Sequence, residues 1–139
     1  MRGKLAAAII VVSGLAVLVG AGPALAHHAF AAEFDMTKPV TISGTVSKMQ
    51  WTNPHAWLYV DVTDKGGKVV TWEVEFGVPN ALYRQGFKRT DLVAGAVVTV
   101  SGFMSRTSPN IANGVTVTMA DGRKLFAGSS APVNADDKK

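Results

Sequence analysis

The stretch Val69-Val70-Thr71-Trp72-Glu73-Val74-Glu75-Phe76-Gly77-Val78-Pro79-Asn80-Ala81-Leu82-Tyr83-Arg84-Gln85-Gly86 changes its period halfway along. Up to Phe76 it alternates. Val70, Trp72, Val74 and Phe76 point one way, while Thr71, Glu73 and Glu75 point the other, the two-residue period of a half-buried strand. From Val78 to Gln85 the alternation stops. Pro79 stands where a first helical turn tolerates it and Gly86 just past the last, so this segment predicts a helix of about two turns.

Upstream, Ala56 to Val62 reads as a strand with Leu58, Val60 and Val62 on one face and Trp57, Tyr59 and Asp61 on the other. Asp64-Lys65-Gly66-Gly67 joins it to the next strand as a hairpin turn. Before it, Val40 to Val46 alternates too, with Gly44 predicting a bulge or sharp bend and the phase shifting toward Met49 and Trp51 beyond it. Thr52-Asn53-Pro54 ends that strand. Downstream, Phe87 to Gly95 is a loop, Ala96 to Phe103 a fourth strand, Arg106 to Asn113 a loop and Gly114 to Met119 a fifth strand. Lys124-Leu125-Phe126 returns along an edge. The expected class is all-β with one short helix. Its order, β-β-β-α-β-β, is that of an OB-fold-like five-stranded Greek-key barrel over residues 40–126. A β-sandwich normally needs about seven strands, more than this chain can supply.

The first 26 residues stand apart. Arg2 and Lys4 precede a charge-free run from Leu5 to Ala26, which ends in Gly20, Gly22, Pro23 and Ala24-Leu25-Ala26. That is the layout of a secretory signal peptide cleaved after Ala26. The apolar core, Leu5 to Val19, falls short of the roughly 20 residues a membrane-spanning helix needs, so cleavage is expected to leave no stable membrane anchor. Cutting 26 from 139 residues leaves 113, and losing Arg2 and Lys4 takes the net charge from +4 to +2. The expected location is the periplasm. Residues 27–39 read as an N-terminal arm and 127–139 as a disordered tail. The chain has no cysteine. This removes disulfides, thiolate nucleophiles and Cys-based metal sites.

Several blocks together carry a resemblance. They are His27-His28-Ala29-Phe30, Ala32-Glu33-Phe34-Asp35 with Lys38-Pro39-Val40, Trp51-Thr52-Asn53-Pro54-His55-Ala56-Trp57, Pro79-Asn80-Ala81-Leu82, and Asp121 to Phe126. The chain resembles a family of small exported bacterial proteins classed only as a domain of unknown function. Many of its members start His-His-Ser-Phe, where this chain has Ala29. The resemblance implies export and a small β-barrel-like domain. It implies no reaction.

Two constellations can carry function. The first is nitrogen-based: His27, His28 and His55 are the chain's three histidines. After cleavage, the free α-amine of His27 and its Nδ1 can chelate one metal ion, with His55 or His28 adding a second imidazole. Such nitrogen-rich tetragonal sets suit Cu(II) best among first-row divalent ions. The amine titrates at roughly 7.7–8.0, so it deprotonates at modest cost. Glu33, Asp35, Met36 or Met49 can supply a weak further ligand. The second is aromatic: Trp57 and Tyr59 share the face away from the core, with Trp51 just upstream. That face can hold a peptide, a glycan or a periplasmic partner protein. In the competing reading, Trp51 and Trp57 pack under the arm Phe30–Phe34 or against each other.

On the partner strand Glu73 and Glu75 lie on the face that corresponds to the aromatic one and would repel phosphates, so no nucleic-acid partner is expected. As same-face strand carboxylates they read as solubilising. Lys88-Arg89 with Arg84 reads as a solvated patch at the helix end. No phosphate loop, nucleophile elbow or nucleophile with base and orienter is present in the pattern. The expected role is a non-catalytic binding module, with copper as its candidate cofactor.

Overall fold

The computed structural model describes residues 30–128. The segment 1–26, His27, His28 and most of the tail lie outside the described residues. The elements are β1 (Phe34–Gln50), β2 (Trp57–Thr63), β3 (Val69–Glu75), α1 (Pro79–Arg84), β4 (Val97–Ser105), β5 (Ile111–Met119) and β6 (Lys124–Phe126). The class is mostly β with one short helix. All six strands belong to one sheet in the order β3-β2-β1-β4-β5-β6, with antiparallel neighbours. In addition β3 pairs with β5 in parallel, Glu73 to Glu75 against Ile111 to Asn113. The pairings β1–β2–β3–β5–β4–β1 therefore run in a closed circuit.

The strands follow the alternation of their apolar residues. In β2, Leu58 and Val60 are buried while Trp57 and Tyr59 are half-buried on the other face. In β4, Val98 and Val100 face inward, and in β5 Val115, Val117 and Met119 do so. One cluster joins residues of β1 to β5 with Leu82 of α1 and with Phe76, Phe87 and Leu92 beside it. Helix α1 starts at Pro79 and inserts the fully buried Leu82 into this core. It stops before Gly86, whose φ of +97° is open to glycine at no steric cost.

Three local expectations are corrected. β1 begins at Phe34, not Val40. Phe34 and Asp35 pair with Ser105 and Met104 before a register shift, and the ladder resumes at Pro39 opposite Phe103. The Asp35 carboxylate accepts bonds from the Thr37 N–H and hydroxyl across this irregularity, so turn chemistry here sits within a strand. Next, the bulge in β1 falls between Val46 and Lys48, not at Gly44. Ser47 and Lys48 are exposed in succession, which is what shifts the phase toward Met49. Gly44 instead allows close approach, because a Cβ there would meet the Asp61 backbone and lie 2.9 Å from Val60 Cγ1. Finally, β5 starts at Ile111 inside the expected loop, since pairing with β3 and β4 extends it beyond its own apolar alternation.

Candidate functional site

His55 sits in the turn between β1 and β2. The Asn53–Pro54 peptide is cis. The Thr52 hydroxyl donates to the His55 carbonyl at 3.0 Å. Ala56 N–H donates to Gly77 O, and Phe76 N–H donates to Ala56 O. The β2–β3 ladder then places Trp57 directly opposite Glu75. The result is a contact across the two strands: His55 Nδ1 lies 2.9 Å from Glu75 Oε1.

Glu75 is only 7% exposed. The expectation that it solubilises an exposed strand fails because β5 pairs alongside β3 at this point and covers it. Burial pushes its carboxyl above the ordinary glutamate range; the charge of His55 opposes that shift and Glu33 adds to it. A buried carboxylate is costly unless a partner holds it, and here the imidazole does so. An Nδ1–H donated to Glu75 leaves Nε2 as the ring's lone-pair donor. Nε2 can then ligate a metal, accept a hydrogen bond or take a proton.

Beside this pair lies an open cleft of about 580 Å³. Glu33, His55 and Glu75 supply its ionisable groups, and Phe34, Trp57 and Ile111 its apolar walls. Ser105, Thr107 and Ser108 add hydroxyls at the rim. Arg106 belongs to the same loop but is engaged elsewhere. Its Nε donates to Ala31 O at 2.8 Å and its Nη1 lies 3.3 Å from Asp35 Oδ2. The hydrogen bonds from Thr37, then Arg106 and Lys38, hold the Asp35 carboxyl below its ordinary value.

The three aromatic candidates are not brought together. Trp57 lines the cleft with His55. Tyr59 shares its face, but its hydroxyl donates to Gln50 Oε1 at 2.9 Å and Lys48 Nζ lies 4.7 Å from its ring centre. Trp51 stacks on Tyr83 of α1, with ring centres 5.1 Å apart and planes 16° apart. Arg89 lies 5.7 Å from the Trp51 ring and 6.0 Å from the Tyr83 ring, so it is a packing cation and not a purely solvated one. His27 and His28 lie outside the described residues. Among the described residues no group of three or more His, Asp or Glu side chains is gathered as a metal site. No helix among them is long and apolar enough to cross a membrane.

Sequence reasoning missed Glu75 as a site residue. Its signal was a carboxylate held between Val74 and Phe76 at the end of a strand, opposite a block containing the domain's internal histidine. No curated protein and no solved structure matches the chain. The model of a family of unknown function, DUF6152, matches residues 15–115. The match covers most of the chain, which belongs to this family of unknown function.

Proposed function

We propose that this protein is an exported, periplasmic, non-catalytic binding module built on an OB-like Greek-key barrel, and that it binds Cu(II) through His27 and His55. The closed circuit of pairings, with α1 between β3 and β4, supports the OB reading. The copper reading rests on one observation above all, the 2.9 Å contact between His55 Nδ1 and the buried Glu75. A carboxylate on one ring nitrogen fixes the tautomer and raises the basicity of the other, the usual support of a metal-ligating imidazole. Glu33 and Phe34 line the cleft beside His55, and Phe30, three residues earlier, is buried against Phe34 and Phe103. Three residues of chain, at most about 10 Å when extended, separate His27 from Phe30. The His27 amine and Nδ1, completed by His55 Nε2, make the three-nitrogen set, with His28 as the other imidazole within the same short segment.

The test is a Cu(II) titration of protein purified from the periplasm, its terminus checked by intact mass. Submicromolar binding is expected, lost in His27→Ala and in His55→Ala. Glu75→Gln is expected to weaken it by about tenfold, the usual effect of removing such a carboxylate. Binding weaker than micromolar, or unchanged in both histidine variants, rules copper out.

A second reading is favoured by Trp57, whose ring lines the cleft rather than the core. In it the module holds a peptide, glycan or partner protein there. Trp57→Ala then abolishes binding while His27→Ala leaves it intact.

A further inference from the structure

We propose that the cleft between His55, Trp57 and the 105–108 loop binds an organic ammonium, a primary amine carried on an apolar or ring-shaped body. This rests on the reading of Trp57 as a binding surface and is independent of copper. The first ground is charge. The chain as a whole carries +4, yet the cleft wall holds Glu33 and Glu75 and no lysine or arginine. The one arginine of the adjoining loop, Arg106, is held by Asp35 and the Ala31 carbonyl.

The second ground is the state of Glu75. Its side chain is 9% exposed, and Oε1 is taken by His55. Glu75 is one of the residues that line the cleft. A nine-tenths buried carboxylate in the wall of a cavity offers negative charge in a setting where water screens poorly. A cation is attracted by both Glu33 and Glu75, a neutral ligand gains nothing from them, and an anion meets repulsion from two carboxylates.

The third ground is the wall chemistry. Trp57 presents the aromatic surface that attracts a desolvated cation most strongly. Phe34, Pro54 and Ile111 suit the apolar body of such a ligand, and the rim hydroxyls suit its polar substituents. The volume, about 580 Å³, is that of a small-molecule site. His27 and His55 ligate the Cu(II), with Glu75 orienting His55; the ammonium ligand uses Glu33, Glu75 and Trp57 and neither histidine.

The test uses benzylammonium chloride against benzyl alcohol, its neutral isostere, with EDTA present. Nitrogen-15-resolved NMR spectra of the mature protein are followed through each titration. The expected result is saturable millimolar binding of benzylammonium, with shifts confined to residues around 33, 57, 75 and 111, and much weaker binding of the alcohol. Glu33→Gln, at an exposed position where folding is not at stake, should weaken the amine about threefold. Trp57→Ala should weaken it about tenfold. Equal binding of alcohol and amine overturns the ammonium assignment while keeping Trp57 as a binding surface. Absence of shifts at the cleft with either probe, or an unchanged affinity in Glu33→Gln, overturns it as well.

Discussion

Glu75 is where folding and binding meet. Its carboxyl is raised above the ordinary glutamate value of 4.5, first by burial, with Glu33 adding to the rise and His55 opposing it. Between 4.5 and that raised value the folded chain holds more protons than the unfolded one. This group therefore makes stability fall as pH climbs through the window. Urea unfolding across this range should show the fall in the natural chain, and Glu75→Gln should flatten it. A slope that persists in the variant assigns it to another group. Asp35, Asp91 and Asp121 act in the opposite sense. Thr37 lowers the first and Arg123 the other two, so their contributions are present above about pH 4 and fade as acid protonates them. Trp51 is a packing residue at this scale. Trp51→Ala removes the Tyr83 stack and the Arg89 contact and should cost about 2 kcal/mol by chemical denaturation. It should leave copper titration unchanged.

Among the elements, β1 does the most joining. It pairs with β2 through its C-terminal half and with β4 through most of its length, so it serves two neighbours around the circuit. Two features allow this. The bulge between Val46 and Lys48 swings the last residues toward β2, and Gly44 lets the Asp61 backbone come close. Gly44→Ala has nowhere to put its Cβ except against that backbone, which cannot yield as a flexible side chain would. A loss of about 2–3 kcal/mol is expected, with hydrogen exchange accelerated first along β1 and β2. The start of β1 is anchored separately. Phe30, Phe34 and Val115 form a small cluster apart from the main core, with Phe103, Ile111 and Phe126 against it. Phe30→Ala should cost about 3 kcal/mol. Because Phe34 also lines the cleft, it should weaken ligand binding there more than Trp51→Ala does.

Over the whole molecule, one core draws residues from β1 to β5 and from α1. No strand can leave without exposing part of it. Unfolding should therefore be a single cooperative event despite the short parallel contact of β3 with β5. Leu82→Ala in α1 tests this. It empties a fully buried site and should cost about 3 kcal/mol. Far-ultraviolet circular dichroism and tryptophan fluorescence should still lose signal at the same midpoint. Separate midpoints would show that α1 and the strands unfold as distinct units.

The sequence by itself determined the succession of elements. Period-two runs with Val at alternate positions can bury one face only as strands, and the Pro79 to Gly86 segment carries its own start and stop signals. The same counting excluded cysteine chemistry and set His55 apart within a Trp-rich block. It read the edges of β1 and β5 poorly. Asp35, Lys38, Pro39 and Asn110 have turn character, and only pairing with a distant strand makes their neighbours extended. The candidate site was legible in part: His55 and Trp57 were both singled out, and the structure places them in one cleft. Their partner was not legible. Alternation assigns Glu75 to an outward face, and whether that face meets water depends on what packs beside it. Tertiary structure settled this by laying β5 along β3, burying the carboxylate against His55 and separating Trp51 from Trp57. Local periodicity says which way a side chain points. Long-range pairing alone decides what it points at, and with that the charge, the tautomer and the chemistry available to it.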